Sequence, residues 1–317
     1  MIPGLQVSTR AALFQYEVFR RNRQPFLTRL AQHWIFASFE KALDGLEDFS
    51  HVLNNSSTDP RVAAISHPDI FLALACGNLE SPLLQQKLDQ VESRILAATA
   101  RAGRKRSDIQ LVAVTKKFPA QAIRDAYALG LRDFGENYVQ EFETKRGELP
   151  DWPDARYHFI GHLQSNKSKK ATEIFQVIHT VDSAKIARRL NDDFESRGVQ
   201  TTGHPGIEVL IEVKLSTEPA KAGVAPGEVA KLAEAIRGCP HLRLLGLMTM
   251  PPWSDEAERS RPYFARLREL AAENGLQHLS MGMSHDLEVA IEEGATIVRI
   301  GTALFGERLS SFKRAAE

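Results

Sequence analysis

Cysteine is scarce in this sequence. The 317 residues include two cysteines, Cys76 and Cys239, which lie far apart and have no metal-ligand partner at a useful spacing. A disulfide framework is therefore excluded, and we expect no metal site. Proteins of reducing compartments have this cysteine usage, so we expect a cytoplasmic protein.

A surplus of one charge is also absent, because 40 basic residues balance 40 acidic residues. Without a basic surplus, the composition gives no reason to expect a nucleic-acid partner. Long hydrophobic runs are missing too, since none approaches the roughly 20 apolar residues of a membrane-spanning helix. With 43% hydrophobic and 25% charged residues, the composition is that of a globular protein with no membrane partner.

Residues 1–78 differ in composition from the rest of the chain. The first 38 residues contain five arginines and a single acid, Glu17, and residues 54–60 read as a loop or linker. We predict an irregular or partly helical, poorly ordered extension without chemistry of its own. A transit peptide is a second interpretation. A start codon assigned too early is a third, although the next methionine after Met1 is Met248.

From residue 84 onward, apolar residues recur with the spacing of helices and buried strands. A first helix carries its apolar face at Leu84, Leu88, Val91, Ile95 and Ala98. Eight strands are then predicted at 111–116, 132–137, 157–161, 177–181, 207–215, 242–248, 278–284 and 296–300, with helices between them. This alternation predicts an α/β fold, a single (β/α)8 barrel over residues 79–317. An open doubly wound sheet is the alternative, but residues 115–119 lack its glycine-rich first turn.

The first strand ends in two lysines. Residues 111–119 read Leu-Val-Ala-Val-Thr-Lys-Lys-Phe-Pro, an apolar run that stops abruptly at Lys116 and Lys117. Apolar walls beside such a strand end favour the neutral amine, which is a nucleophile toward carbonyls and forms Schiff bases. The other interpretation is that both lysines are solvated charges. The strand pattern does not choose between the two interpretations, nor between the two lysines.

Other strand ends are polar as well, and barrel active sites lie at this face. They supply Glu136, Asn137, His162, Ser284 and Arg299, and residues 301–306 (Gly-Thr-Ala-Leu-Phe-Gly) offer N–H groups and a hydroxyl to an anion. A Schiff-base lysine opposite a phosphate loop is the arrangement that pyridoxal 5′-phosphate (PLP) needs. A plain turn at Gly301 and Thr302, and a structural role for His162, are the alternatives.

Arg299 bears on the chemistry of such a cofactor. A guanidinium that faces the pyridine nitrogen stays protonated and keeps that nitrogen unprotonated. The ring is then a weak electron sink, which suits limited carbanion chemistry or none. The alternative is an arginine that pairs with a carboxylate of a neighbouring helix.

Several long motifs resemble the PLP homeostasis protein family, which is similar to the N-terminal barrel of bacterial alanine racemase. The resemblance covers roughly residues 80–308 and lies in the segments 113–116, 134–141, 158–167, 246–248, 280–286 and 298–306. It implies a Schiff base at Lys116, Arg299 at the pyridine nitrogen, Asn137 near the ring, and a phosphate held by Ser284, Gly301 and Thr302. Lys221 and Gly223 match a further family motif.

The resemblance also implies a function: intracellular PLP homeostasis by cofactor storage or delivery and amino-acid pool balance, with little or no turnover. Expected partners are PLP and, beyond it, apo PLP enzymes or amino acids. The racemase has a C-terminal domain that helps supply a second acid/base tyrosine, whereas no tyrosine follows Tyr263 here. We therefore expect a monomer without efficient racemisation. A PLP-dependent racemase and a barrel for another phosphorylated metabolite are the alternatives.

Overall fold

The computed structural model of the chain describes residues 80–197, 206–216 and 222–307. Within them, eight parallel strands close into a barrel in sequential order. The strands are β1 (Gln110–Val114), β2 (Asp133–Glu136), β3 (Arg156–Phe159), β4 (Val177–Val181), β5 (Ile207–Glu212), β6 (Leu242–Met248), β7 (His278–Met283) and β8 (Ile297–Ile300). The predicted (β/α)8 barrel is confirmed. The predicted extension lies outside the described residues, so its boundary at residue 78 stays a prediction.

Helices alternate with the strands and one long helix precedes them. They are α1 (Glu80–Arg101), α2 (Ala120–Ala128), α3 (Val139–Glu148), α4 (Ser168–Ile174), α5 (Ala184–Glu195), α6 (Val229–Arg237), α7 (Arg261–Glu273), α8 (Leu287–Glu292) and α9 (Thr302–Phe305). The predicted apolar face of α1 is buried at all five positions, from Leu84 to Ala98. In the described ranges, no helix is both long and apolar enough to cross a membrane.

Two apolar clusters fill the fold. The larger one contains residues of both strands and helices and therefore lies between the sheet and the helix layer. The smaller one contains residues of strands alone, so it lies inside the barrel; its members are Val112, Val177, Leu210, Met248 and Ile297. Strands such as β1 and β4 are buried on both faces, so they read as largely apolar runs rather than as alternating ones.

The barrel closes between its first and last strands, with Val112 opposite Arg299 and Ala113 opposite Ile300. This closure places the segments that follow β1 and β8 at the same rim. The prediction extended β1 to residue 116, but the strand ends at Val114. The physical reason is a turn, in which the Phe118 N–H donates to the Thr115 carbonyl over 3.0 Å.

Candidate functional site

The turn after β1 carries the two lysines. Lys116 is partly buried and Lys117 is exposed. Lys117 has a φ of 64°, a left-handed conformation that few residues other than glycine adopt. Such strain persists when neighbouring groups fix the backbone, and it is concentrated at functional sites. The partly buried Lys116 matches the expected lysine beside apolar walls better than its neighbour does.

A buried ionic cluster fixes this turn from below. Glu136 Oε1 accepts hydrogen bonds from Thr115 Oγ1 and from Lys145 Nζ, both over 2.8 Å. Lys145 Nζ also donates to the Thr115 carbonyl over 2.8 Å and pairs with Glu141 at 2.6 Å. Glu141 in turn accepts from the Lys117 N–H. The backbone on both sides of Lys116 is thereby held to β2 and α3.

Burial raises the pKa of Glu136, while Lys145 and Thr115 oppose that rise. Sequence reasoning missed Lys145, because a lysine in a polar helix normally faces solvent. A signal was present: Glu141 and Lys145 are four residues apart and flank the buried Phe142.

The predicted phosphate residues come together at the rim of β7 and β8. Ser284 Oγ accepts a hydrogen bond from the Ala303 N–H over 3.1 Å, so its hydroxyl lies against the loop of Gly301 and Thr302. A Cβ at position 301 would lie 3.4 Å from the Val114 carbonyl oxygen, so this loop also touches the end of β1. The Thr302 side chain is exposed. Residues predicted from two separate motifs, Ser284 from one and Gly301 and Thr302 from the other, therefore lie together beside the lysine turn.

Helix α1 supports this loop from outside the barrel. Arg94 Nη2 donates to the Ser284 carbonyl over 2.9 Å, and Arg94 forms a two-pronged ion pair with Glu288 at 2.6 and 2.8 Å. On the inner side, the carboxylate of Asp286 accepts from the Met283 N–H and from Ser260 Oγ, each over 2.8 Å. The segment from β7 to α8 is thus fixed on two sides.

Arg299 is 4% exposed and lies inside the barrel wall. It donates to Ser280 Oγ over 2.7 Å and to the Thr249 carbonyl over 3.0 Å. Burial lowers the pKa of Arg299 to about 10, opposed by Asp286 and Glu212, so the guanidinium stays charged at neutral pH. Its hydrogen bonds in the described part of the chain go to a hydroxyl and a carbonyl, not to a helix carboxylate.

A chain of hydrogen bonds continues from Arg299 across the barrel interior. Ser280 Oγ lies 2.8 Å from His179 Nδ1, and His179 Nε2 lies 2.9 Å from His158 Nδ1. The chain ends at Asp133 Oδ1, 2.8 Å from His158 Nε2. All three members between the charged ends are buried.

With a neutral His158, elementary bonding rules fix the direction of this chain. The Asp133 carboxylate only accepts, so His158 carries its proton on Nε2 and accepts at Nδ1 from His179. His179 Nδ1 is then an acceptor for the Ser280 hydroxyl, whose oxygen accepts from Arg299. Burial, followed by His158 and Arg299, lowers the pKa of His179 well below its usual value, so its ring is neutral. Sequence reasoning missed both histidines; the signal was a polar residue in the middle of an apolar strand.

A cavity of about 540 Å³ opens at the carboxyl ends of β2, β3, β5 and β6. Its wall includes Asn137, Gly161, His162, Glu212 and Lys214. Gly161 is required there, because a Cβ would lie 2.1 Å from the Asn137 carbonyl oxygen. Of the predicted rim residues, Asn137 and His162 line this cavity, whereas Lys116, Ser284, Arg299, Gly301 and Thr302 do not.

Glu212 is a further important residue that sequence reasoning missed. It ends β5 and is 4% exposed. Burial, and then Asp182, raise the pKa of Glu212 to about 7, against the lowering effect of Arg299. Beyond this strand, Gly223 has a φ of 115° and lies against the Lys214 backbone. Lys221, the other residue of the predicted motif, lies outside the described residues.

Comparison with known proteins places these features in a family. Residues 87–309 match the family model described as alanine racemase, N-terminal domain. The pyridoxal phosphate homeostasis protein of Pseudomonas aeruginosa is 48% identical over 227 residues, which are 71% of this chain and 96% of that protein. The protein of the same name from Aquifex aeolicus is 45% identical over 230 residues, 70% of this chain and 97% of that protein.

Solved structures agree with this placement. PipY of Synechococcus elongatus, determined with PLP bound, is 38% identical with a TM-score of 0.61, and the match covers 70% of this chain and all of PipY. Alanine racemase of Clostridium difficile, at 16% identity and a TM-score of 0.55, is matched over 57% of its length and shows the shared fold alone. The chain therefore belongs to the pyridoxal phosphate homeostasis protein family, built on the barrel of the alanine racemase N-terminal domain.

Proposed function

We propose that this protein binds PLP at the carboxyl face of its barrel through Lys116 and serves PLP homeostasis by storing or delivering the cofactor. The observation that carries the proposal is the closure of the barrel between β1 and β8. This closure sets the lysine turn beside the loop of Ser284, Gly301 and Thr302. Family membership and the PLP-bound structure of PipY support it.

The residues present fit the cofactor. The Gly301 backbone lies beside the end of β1, and the exposed Thr302 hydroxyl and the Ser284 hydroxyl are available to a phosphate. Asn137 Oδ1 is buried and has no hydrogen-bond partner among the described residues. We assign this residue to the neighbourhood of the PLP ring. When bound, PLP supplies an aldehyde that a lysine amine attacks, together with a pyridine ring that can withdraw electrons.

Arg299 supports retention of the cofactor rather than turnover. Ser280 and Thr249 hold its guanidinium in place, and the guanidinium remains charged at neutral pH. Opposite a pyridine nitrogen, a permanent donor prevents protonation of that nitrogen, so the ring withdraws electrons weakly. The relatives named above are homeostasis proteins, and the likeness to alanine racemase extends to the fold.

The remaining assignments are part of the same proposal. We expect a cytoplasmic monomer that exchanges PLP with apo PLP enzymes or meets amino acids, and the two isolated cysteines agree with a reducing compartment.

An absorbance spectrum with borohydride reduction and peptide mapping tests the proposal. The purified protein with added PLP should show a visible band that reduction fixes onto the peptide of Lys116. Lys117→Ala is the matched control and should keep both the band and the adduct. Absence of a band after PLP addition, or an adduct that persists in Lys116→Ala, would contradict the assignment.

A further inference from the structure

The turn after β1 has a conformation that its sequence does not favour. The Phe118 N–H donates to the Thr115 carbonyl, so Lys116 and Lys117 occupy the two central positions of a β-turn. In the described ranges, Lys117 is the sole residue other than glycine with a positive φ, at 64°. A positive φ at the second central position alone is the pattern of a type II turn, which normally places glycine or asparagine there. Two lysines favour type I instead, so a neighbouring group holds this turn in type II.

That group is Glu141, in the first turn of α3. The Lys117 N–H belongs to the central peptide of the turn, which reverses its direction between type I and type II. Glu141 Oε1 accepts a hydrogen bond from this N–H. In a type I turn, the Lys116 carbonyl would point toward the carboxylate instead, and two acceptors form no hydrogen bond. The carboxylate of Glu141 therefore favours type II and opposes type I.

Glu141 is itself fixed by a buried partner. The same Oε1 pairs with Lys145 Nζ at 2.6 Å, and Lys145 is buried. Lys145 also donates to the Thr115 carbonyl over 2.8 Å. One ion pair thus binds both peptides that flank the Lys116 Cα atom, through the Thr115 carbonyl on one side and the Lys117 N–H on the other. The direction in which Lys116 leaves the backbone follows from these two fixed peptides.

We infer that Glu141 is a positioning residue for Lys116, because it holds the type II turn that presents the Lys116 amine to the cofactor. The inference rests on the proposed function and extends it to a residue that acts through the backbone rather than by contact with PLP. A role in stability alone is the competing explanation. It predicts a lower melting temperature for Glu141 variants without a change in the reactivity of Lys116.

Stopped-flow mixing of PLP-free protein with PLP measures how fast the visible band forms. Glu141→Ala should slow its formation about tenfold or more, because a misplaced nucleophile reacts more slowly. Glu141→Gln should keep most of the parent rate, since its amide oxygen still accepts from the Lys117 N–H, whereas Glu141→Asp is too short and should be slow. Glu143→Ala, on the same helix and with the same loss of charge at a surface ion pair, should react as the parent protein does.

A second substitution separates positioning from stability. Glycine adopts a positive φ without strain, so it keeps the type II turn without help from a carboxylate. Lys117→Gly should therefore restore the rate of Glu141→Ala to that of the single Lys117→Gly variant. Rates are measured well below the melting temperature of each variant, so that a loss of stability alone does not change them.

The backbone amide of Lys117 reports the turn without PLP. Its proton should resonate at low field in the PLP-free parent, as a hydrogen bond to a carboxylate implies, and should move upfield in Glu141→Ala. The parent rate in Glu141→Ala, a fast Glu141→Asp beside a slow Glu141→Gln, or no rescue by Lys117→Gly would overturn the inference alone. A parent protein that forms no visible band would overturn the proposed function and this inference with it, so the two failures are distinguishable.

Discussion

Replacing Lys145 by methionine is expected to destabilise the barrel strongly, and more at neutral than at acidic pH. The ammonium donates to the Thr115 carbonyl and to Glu136 Oε1, both 2.8 Å away. Glu136 is fully buried, and within the described part of the chain its Oε2 has no hydrogen-bond partner. Burial raises the pKa of Glu136. In the variant, the hydrogen bond from the Thr115 hydroxyl is the direct contact that still opposes this rise. The carboxyl group therefore becomes protonated in the folded variant.

The magnitude follows from that protonation. A free glutamate has a pKa of about 4.3, and each pH unit above it adds about 1.4 kcal/mol to the free energy of keeping the group protonated. The protonation thus costs about 3.7 kcal/mol at pH 7 and about 1 kcal/mol at pH 5. The first value lies within the roughly 3–5 kcal/mol lost when a buried ion pair is broken.

The sign of the pH dependence follows from linkage. A carboxyl group whose pKa is raised in the folded state binds its proton more tightly there than in the unfolded chain. Its contribution to stability is therefore complete below the unfolded pKa and is lost as pH rises toward the folded pKa. The free energy of unfolding of Lys145→Met should fall between pH 5 and pH 7 relative to that of the parent protein.

Urea unfolding followed by circular dichroism at pH 5, 6 and 7 measures the effect. Lys170→Met is the matched control, because Lys170 pairs with Glu143 and Glu173 on the surface and such pairs contribute at most about 1 kcal/mol. The double variant Lys145→Met, Glu136→Gln should recover most of the loss, since no buried acid remains. Equal losses at pH 5 and pH 7, or a double variant as unstable as the single one, would refute this account.

Further substitutions test other parts of the site. Gly161→Ala should destabilise the barrel by more than about 3 kcal/mol in thermal melts, because the new Cβ would lie 2.1 Å from the Asn137 carbonyl oxygen. Gly147→Ala, with nothing within 4 Å, should be neutral or stabilising by about 1 kcal/mol; equal melts for the two would argue against the close approach. In the parent protein, ¹⁵N chemical shifts of the imidazole should show the His158 proton on Nε2 and none on Nδ1; a proton on Nδ1 would contradict the assigned direction. Lys116→Ala should lose the borohydride adduct yet retain PLP through its phosphate. Ser284→Ala with Thr302→Ala should instead weaken PLP retention at least about tenfold in dialysis, as loss of two hydrogen bonds to a charged group implies. Exchange at Cα of L-alanine should not exceed that of free PLP, and faster exchange would favour a racemase.

The barrel was predictable because its determinants are local. A strand buried on both faces requires a continuous apolar run, and β4 and β6 were placed with the bounds that the structure has. The end of β1 was wrong by two residues, since the Thr115 carbonyl turns back to accept from Phe118. Such a turn depends on a side-chain cluster from β2 and α3, which no local pattern contains.

The rim residues were predictable for a related reason. A polar residue directly after a buried parallel strand must lie at the carboxyl face of the barrel, because all eight strands run in the same direction. Lys116 and Lys117, Asn137, Ser284 and Thr302 were placed at the rim in this way, and the family resemblance then singled out Lys116. Their placement beside one another depended further on closure of the sheet between β1 and β8.

By itself, the sequence determined the order of strands and helices and which residues lie at the carboxyl rim, since both follow from apolar periodicity and from where each run stops. Tertiary structure alone decided the partners of buried polar groups: Lys145 with Glu136, His179 with His158, and Arg299 with Ser280. The physical reason is that the free energy of a buried charge depends on groups far away in the chain, which only the closed barrel brings within a few ångströms.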